Sequence, residues 1–146
     1  SQHRAHRQEG FGSNFLLGGQ IKGQPQELYQ IYQEGNCISA TEDTPFFQIG
    51  ESKYGKPILD RSISHESSLE DAVRALLVSF DSTIRSNLSV GFPIDLMVYH
   101  RNSCIMPAGI RVDDSDPYLH NIRAQWSEGL KAILQQFDVP PDYYFK

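Results

Sequence analysis

Only two cysteines, Cys37 and Cys104, occur among 146 residues. That excludes a disulfide framework, and without a CxxC pair or a Cys/His array the sequence holds no recognisable zinc site. Positive charge is also scarce: thirteen Lys and Arg face eighteen Asp and Glu, a formal net charge of −5. Such a surface offers no global electrostatic grip on nucleic acid or anionic lipid. Apolar runs extend for only a few residues, so no stretch spans a membrane and none has the core of a signal peptide. Methionine first appears at Met97. These absences point to a cytoplasmic domain with no nucleic-acid or membrane partner, no metal and no cofactor.

What is present suits a folded domain. The hydrophobic fraction is 39% and the aromatic fraction 11%. A globule of this length buries roughly 68–70% of its unfolded surface and needs no covalent staples. Residues 1–10 are polar and lack periodicity; they read as a disordered terminus or as the tail of an upstream element. His3 and His6 lie among them. Residues 11–146 read as a single domain.

Phe11 to Gly19 reads as a short buried strand ending at a glycine pair. Leu28, Tyr29, Ile31 and Tyr32 form a second strand, and Glu34-Gly35-Asn36 turns the chain into a third at Cys37–Thr41. Phe46–Ile49 reads as a fourth short strand, halted at Gly50. A short helix is expected over Lys53–Ser62, weakened by Gly55 and Pro57. The next helix opens at Ser67, whose spacing to Glu70 makes a capping box. Leu69, Val73, Leu76, Leu77, Phe80 and Ile84 follow on one stripe, with the small residues Ala72, Ala75, Ser79 and Ser82 between them. Small residues at those places permit close packing on a neighbouring layer.

Pro93–Tyr99 is expected to be a strand and Ser103–Val112 its antiparallel return. Asp116-Pro117 combines an N-cap with proline at the first helical position. A stripe of Leu119, Ile122, Trp126, Leu130, Ile133, Leu134 and Phe137 continues that helix, which stops at Val139-Pro140-Pro141. Strands, helices, strands and a last helix make an α+β order rather than alternating βαβ units. Asp113, Asp114 and Asp116 read as a divalent-cation site or, more simply, as a solvated N-cap cluster. His65, His100 and His120 are scattered. Tyr143, Tyr144 and Phe145 form an aromatic patch at the tail, suited to docking on this or a neighbouring subunit.

Several segments carry a resemblance. Phe15-Leu16-Leu17-Gly18-Gly19-Gln20 and the run Gln26 to Asn36 are similar to the central strands of proteasome β-type subunits. Phe47 to Arg61 and Asp81 to Leu96 resemble Anbu, the ancestral β-subunit of bacteria. The resemblance implies the αββα sandwich of the N-terminal-nucleophile hydrolases. It makes residues 11–146 the C-terminal portion of one such domain. It further implies a self-compartmentalising threonine-type peptidase, assembled as a homo-oligomeric ring or open helix and acting on unfolded polypeptide or peptide. A non-catalytic scaffold or interaction module of the same fold is the alternative.

In such peptidases a terminal Thr supplies the nucleophilic hydroxyl, and its free α-amine acts as general base. Neither that nucleophile nor the Lys that serves it can be placed in the sequence. Ser1 is not read as a substitute, because Ser1-Gln2-His3-Arg4 is polar whereas the family nucleophile opens a buried strand. Supporting residues are recognisable. Where family peptidases carry Arg-Asp-x-x-Ser-Gly, this chain has Arg85-Ser86-Asn87-Leu88-Ser89-Val90-Gly91. The Arg and Ser are kept, the acid position is Ser86 with Asn87 beside it, and one residue is inserted before the Gly. Gly50-Glu51-Ser52 resembles the Gly-Ser-Gly loop of the family. Ser86, Asn87, Ser89, Glu51 and Ser52 are therefore the candidate supporting residues. The first three equally suit helix-end and turn chemistry, and Glu51 and Ser52 more simply suit a helix N-terminus with a favourable anion at its dipole.

Overall fold

A computed structural model describes residues 12–146. The readings at residues 1–11, including Ser1, His3, His6 and the expected strand start at Phe11, lie outside the described residues.

The first strands form the expected meander: β1 (Phe15–Gln20), β2 (Gln26–Ile31) and β3 (Cys37–Ser39), antiparallel in that order. Phe15 pairs with Ile31 and Gln20 with Gln26, so the turn closes around Gly23, whose φ of 83° a side chain would strain. Gly35, at φ 90°, does the same between β2 and β3. The reading of β1 as buried is corrected: Phe15 and Leu17 are each more than half exposed, and no described layer packs on that face. Phe46–Ile49 is not a strand either. The chain leaves β3 through a turn in which Thr41 and Thr44 exchange backbone hydrogen bonds, and Phe46 and Phe47 are half-buried without a ladder partner.

Helix α1 spans Lys56–Ser62, three residues later than expected at its start. Pro57 does not weaken it, because in the first turn its missing N–H has no intrahelical acceptor to lose. Helix α2 spans Leu69–Ser86. Its cap is Ser68, not Ser67: the Ser68 hydroxyl accepts from the Asp71 N–H at 3.1 Å, while Ser67 accepts from Ser64 in the preceding turn. The buried face is Ala75, Leu77, Val78, Ser79, Asp81 and Thr83, rotated from the stripe read off the sequence. Leu69 and Phe80 of that stripe are exposed.

Strand β4 (Ile94–Leu96) pairs antiparallel with β5 (Ile110–Val112), both shorter than expected. Helix α3 runs Pro117–Gln136, capped by Asp116 accepting from the Leu119 N–H at 2.8 Å. A short 3₁₀ turn, Asp142–Phe145, follows. The core joins these elements: Leu77 and Val78 of α2, Ile94 and Val112 of the hairpin, and Leu119 and Ile122 of α3. Beyond Ile122 the α3 stripe is uncovered, with Trp126, Leu130, Ile133, Leu134 and Phe137 all exposed. No described helix is long and apolar enough to cross a membrane.

Candidate functional site

Glu51 and Asn87 are 36 positions apart, and the packing of α1 on α2 brings them together. Gly55 makes this approach possible. A Cβ there would lie 2.3 Å from Ser79 Oγ and 2.9 Å from Thr83 Oγ1, so only glycine lets the start of α1 sit against the last turns of α2. The small residues expected to permit close packing serve that end at Ser79. Gly50, at φ 82°, turns the chain into the segment that carries Glu51.

Each Glu51 carboxylate oxygen accepts one hydrogen bond. The Lys53 backbone N–H donates to Oε1 at 2.8 Å, and Asn87 Nδ2 donates to Oε2 at 2.9 Å. Asn87 is the C-cap of α2, and its own N–H donates to the Thr83 carbonyl. Its Oδ1 accepts from the Ser89 N–H at 2.9 Å and from the Ser89 hydroxyl at 2.7 Å. Three of the five candidates, Glu51, Asn87 and Ser89, thus form one continuous chain of hydrogen bonds. Ser52 and Ser86 contribute no side-chain bond to it among the described residues; Ser52 is half-buried and Ser86 exposed.

The charge pattern separates Glu51 from its acidic neighbours. Asp60 pairs with Lys56, Asp71 with Arg74, and Asp95 with Arg111. Asp81 takes both Arg85, at 3.2 Å, and Arg123, at 2.6 Å. The Arg of the helix-end pattern is therefore held one turn back along α2. Glu51 enters no ion pair among the described residues. It is half-buried and oriented by neutral donors, with acceptor capacity to spare.

Two features went unread in the sequence. Asp81 is buried and joins α2 to α3; its i,i+4 spacing to Arg85 was a usable sign, while nothing local pointed to Arg123. Hydrogen bonding to Asp81 holds the Arg123 guanidinium pKa above its ordinary value, against a smaller effect of desolvation. Gln20 is the other. Its Oε1 accepts from Tyr99 Oη and the Asn102 N–H, and its Nε2 donates to Asn102 Oδ1 and the Gln24 carbonyl. This ties the first sheet to the loop after β4, where Asn102 and Cys104 have φ of 64° and 48°.

Elsewhere the candidate chemistry dissolves. Asp116 is the helix cap, Asp114 pairs with Arg123, and no group of three potential metal ligands exists among the described residues. Cys37 and Cys104 are free and exposed. A concavity of about 640 Å³ lies beside β1 and β2, near His65 and Tyr99, and none of the five candidate residues lines it.

No family model and no curated protein matches the chain. Solved structures do. An Anbu chain from Pseudomonas aeruginosa, described as a helical assembly of the Anbu complex, is 60% identical over 90% of this chain, with a TM-score of 0.85. Anbu (ancestral beta-subunit) from Yersinia bercovieri is 51% identical over 88% of this chain, with a TM-score of 0.83. Anbu from Hyphomicrobium sp. strain MC1 is 50% identical over 90%, with a TM-score of 0.84. The matches cover 54%, 57% and 56% of those chains, so this chain spans little more than half their length. A mixed α+β chain that keeps half or more of its residues identical across nearly all its own length is a member of the Anbu family of proteasome-like ancestral β-subunits.

Proposed function

We propose that this chain is the C-terminal portion of a proteasome-like subunit with the αββα sandwich of N-terminal-nucleophile hydrolases. The parent is a cytoplasmic threonine-type peptidase that assembles from copies of itself and cleaves unfolded polypeptide. The observation that carries the reading is the Glu51–Asn87–Ser89 chain of hydrogen bonds, which joins three of the five residues that the resemblance names as supporting. Identity of 60% to a chain described as a helical assembly supports the homo-oligomer.

Chemically, the terminal hydroxyl gives its proton to the α-amine of the same residue as its oxygen attacks the scissile carbonyl. The resulting ammonium returns a proton to the leaving amine. The residues described here supply orientation and charge, not the nucleophile. Enclosing that nucleophile inside an assembly restricts cleavage to chains that can thread in.

The scaffold alternative has one specific observation behind it: the acid position is occupied by Ser86, which takes no part in the network. N-terminal sequencing of the processed native protein, with a fluorogenic peptide assay, separates the two readings. A Thr or Ser that opens a strand, together with cleavage, is the expected result. Absence of both assigns the fold to a scaffold.

A further inference from the structure

We infer that Glu51 is a positioning residue that supplies the negative charge facing the nucleophile's α-amine, replacing the acid absent at Ser86; this rests on the peptidase reading above. Three observations lead there. Glu51 is the half-buried carboxylate of the site that no described cation neutralises, whereas Asp81, one turn from the helix end, is consumed by Arg85 and Arg123. Its two oxygens are held by neutral donors, the Lys53 N–H and Asn87 Nδ2, which fix the carboxylate and leave its charge uncompensated. Asn87 Oδ1 is already taken by the Ser89 N–H and hydroxyl, so the amide transmits position from Glu51 to Ser89 and adds no charge.

A fixed carboxylate with spare lone pairs and no cation is complementary to an ammonium group. The Ser89 hydroxyl spends its proton on Asn87 and keeps its own lone pairs for the same N–H donors. Charge and acceptor thus belong to one hydrogen-bonded unit, although their residues come from opposite ends of the α1–α2 pair. An anion near the α-amine favours its protonated form and raises its pKa. The amine must be neutral to take the hydroxyl proton, so Glu51 sets the pH at which the nucleophile becomes competent.

The test uses the full-length protein that carries the nucleophile, treated with a threonine-directed covalent inhibitor from pH 5 to pH 9 (roughly the span around an α-amine pKa). In Glu51→Gln the rising limb of the labelling rate is expected to move about one pH unit lower, because removing the anion lowers the amine pKa. Glu51→Gln combined with Asn87→Asp returns a carboxylate and a matching donor to the pair, and the limb is expected to move back. A merely structural role for Glu51 lowers thermal stability and labelling amplitude without moving the limb. An unmoved limb in a folded, reactive Glu51→Gln protein overturns the assignment and leaves the peptidase reading standing. No labelling of the wild-type protein at any pH overturns both.

Discussion

Asp81 is the buried carboxylate that links α2 to α3. Both guanidiniums it accepts come from helices that pack together, Arg85 on α2 and Arg123 on α3. Arg123 is itself mostly buried and lies 6.0 Å from the centre of the Phe92 ring. Removing one partner from such a pair strands a charge in a poorly solvated place. Asp81→Ala is expected to lower unfolding free energy by about 3 kcal/mol, and Asp81→Asn by less, as read by urea denaturation. Asp95 presents the opposite case. Hydrogen bonding from Arg111 holds its carboxyl below the ordinary carboxylate range, against a smaller opposing desolvation, yet both groups are exposed. A depressed folded-state pKa stabilises above the unfolded-state value, and that contribution is lost as pH falls through the folded-state value. NMR titration should place the Asp95 midpoint below that of a free carboxylate, and molar salt should bring it back up by screening the pair. A midpoint insensitive to salt would contradict the exposed pairing.

At the scale of elements, the α1–α2 contact decides whether Glu51 and Asn87 meet. Gly55 was read in the sequence as a weakness in a helix, and Ser79 as one of several small residues permitting close packing. Together they let the N-cap of α1 sit against α2, beside the Glu51–Asn87 bond. Gly55→Ala is expected to destabilise the fold by about 2 kcal/mol through overpacking. The same substitution should loosen the Glu51–Asn87 bond, seen as faster hydrogen exchange at the Lys53 and Ser89 amides. Melting and exchange identical to wild type would mean that the contact is not tight. The start of α3 behaves as its local sequence implies, whereas the β4–β5 hairpin pairs over only three residues a side. Asp116-Pro117 caps and starts its helix where the dipeptide predicts, because cap chemistry depends on backbone groups within three residues. The shift from Ser67 to Ser68 at α2 shows the limit of that logic. Two adjacent serines both have an orphan N–H in reach, and the preceding turn at Ser64 claims one of them.

At the scale of the molecule, the described residues leave much large apolar surface uncovered. Phe15 and Leu17 on β1, Ile133, Leu134 and Phe137 at the end of α3, and Tyr143, Tyr144 and Phe145 beyond it are all exposed. Where such residues adjoin, they form faces that mark interaction surfaces or associate with one another. The chain by itself is expected to bind an apolar-surface dye and to self-associate in sedimentation. Replacing Ile133, Leu134 and Phe137 with Glu, Lys and Gln should reduce both responses. A monodisperse wild-type monomer with no dye signal would contradict this expectation. On the proposed reading, which places no nucleophile among the described residues, the same chain should leave fluorogenic peptides uncleaved. The three-strand meander, the later hairpin, the helices and the α+β class, though not the strand expected at Phe46–Ile49, followed from the sequence alone, because periodicity, turn residues and caps act over a few neighbouring positions. The tertiary structure decided which of the five candidate residues meet, that Asp81 consumes the nearby positive charge, and which stripes remain uncovered. Those outcomes depend on contacts between residues tens of positions apart, for which a linear pattern carries no distance information.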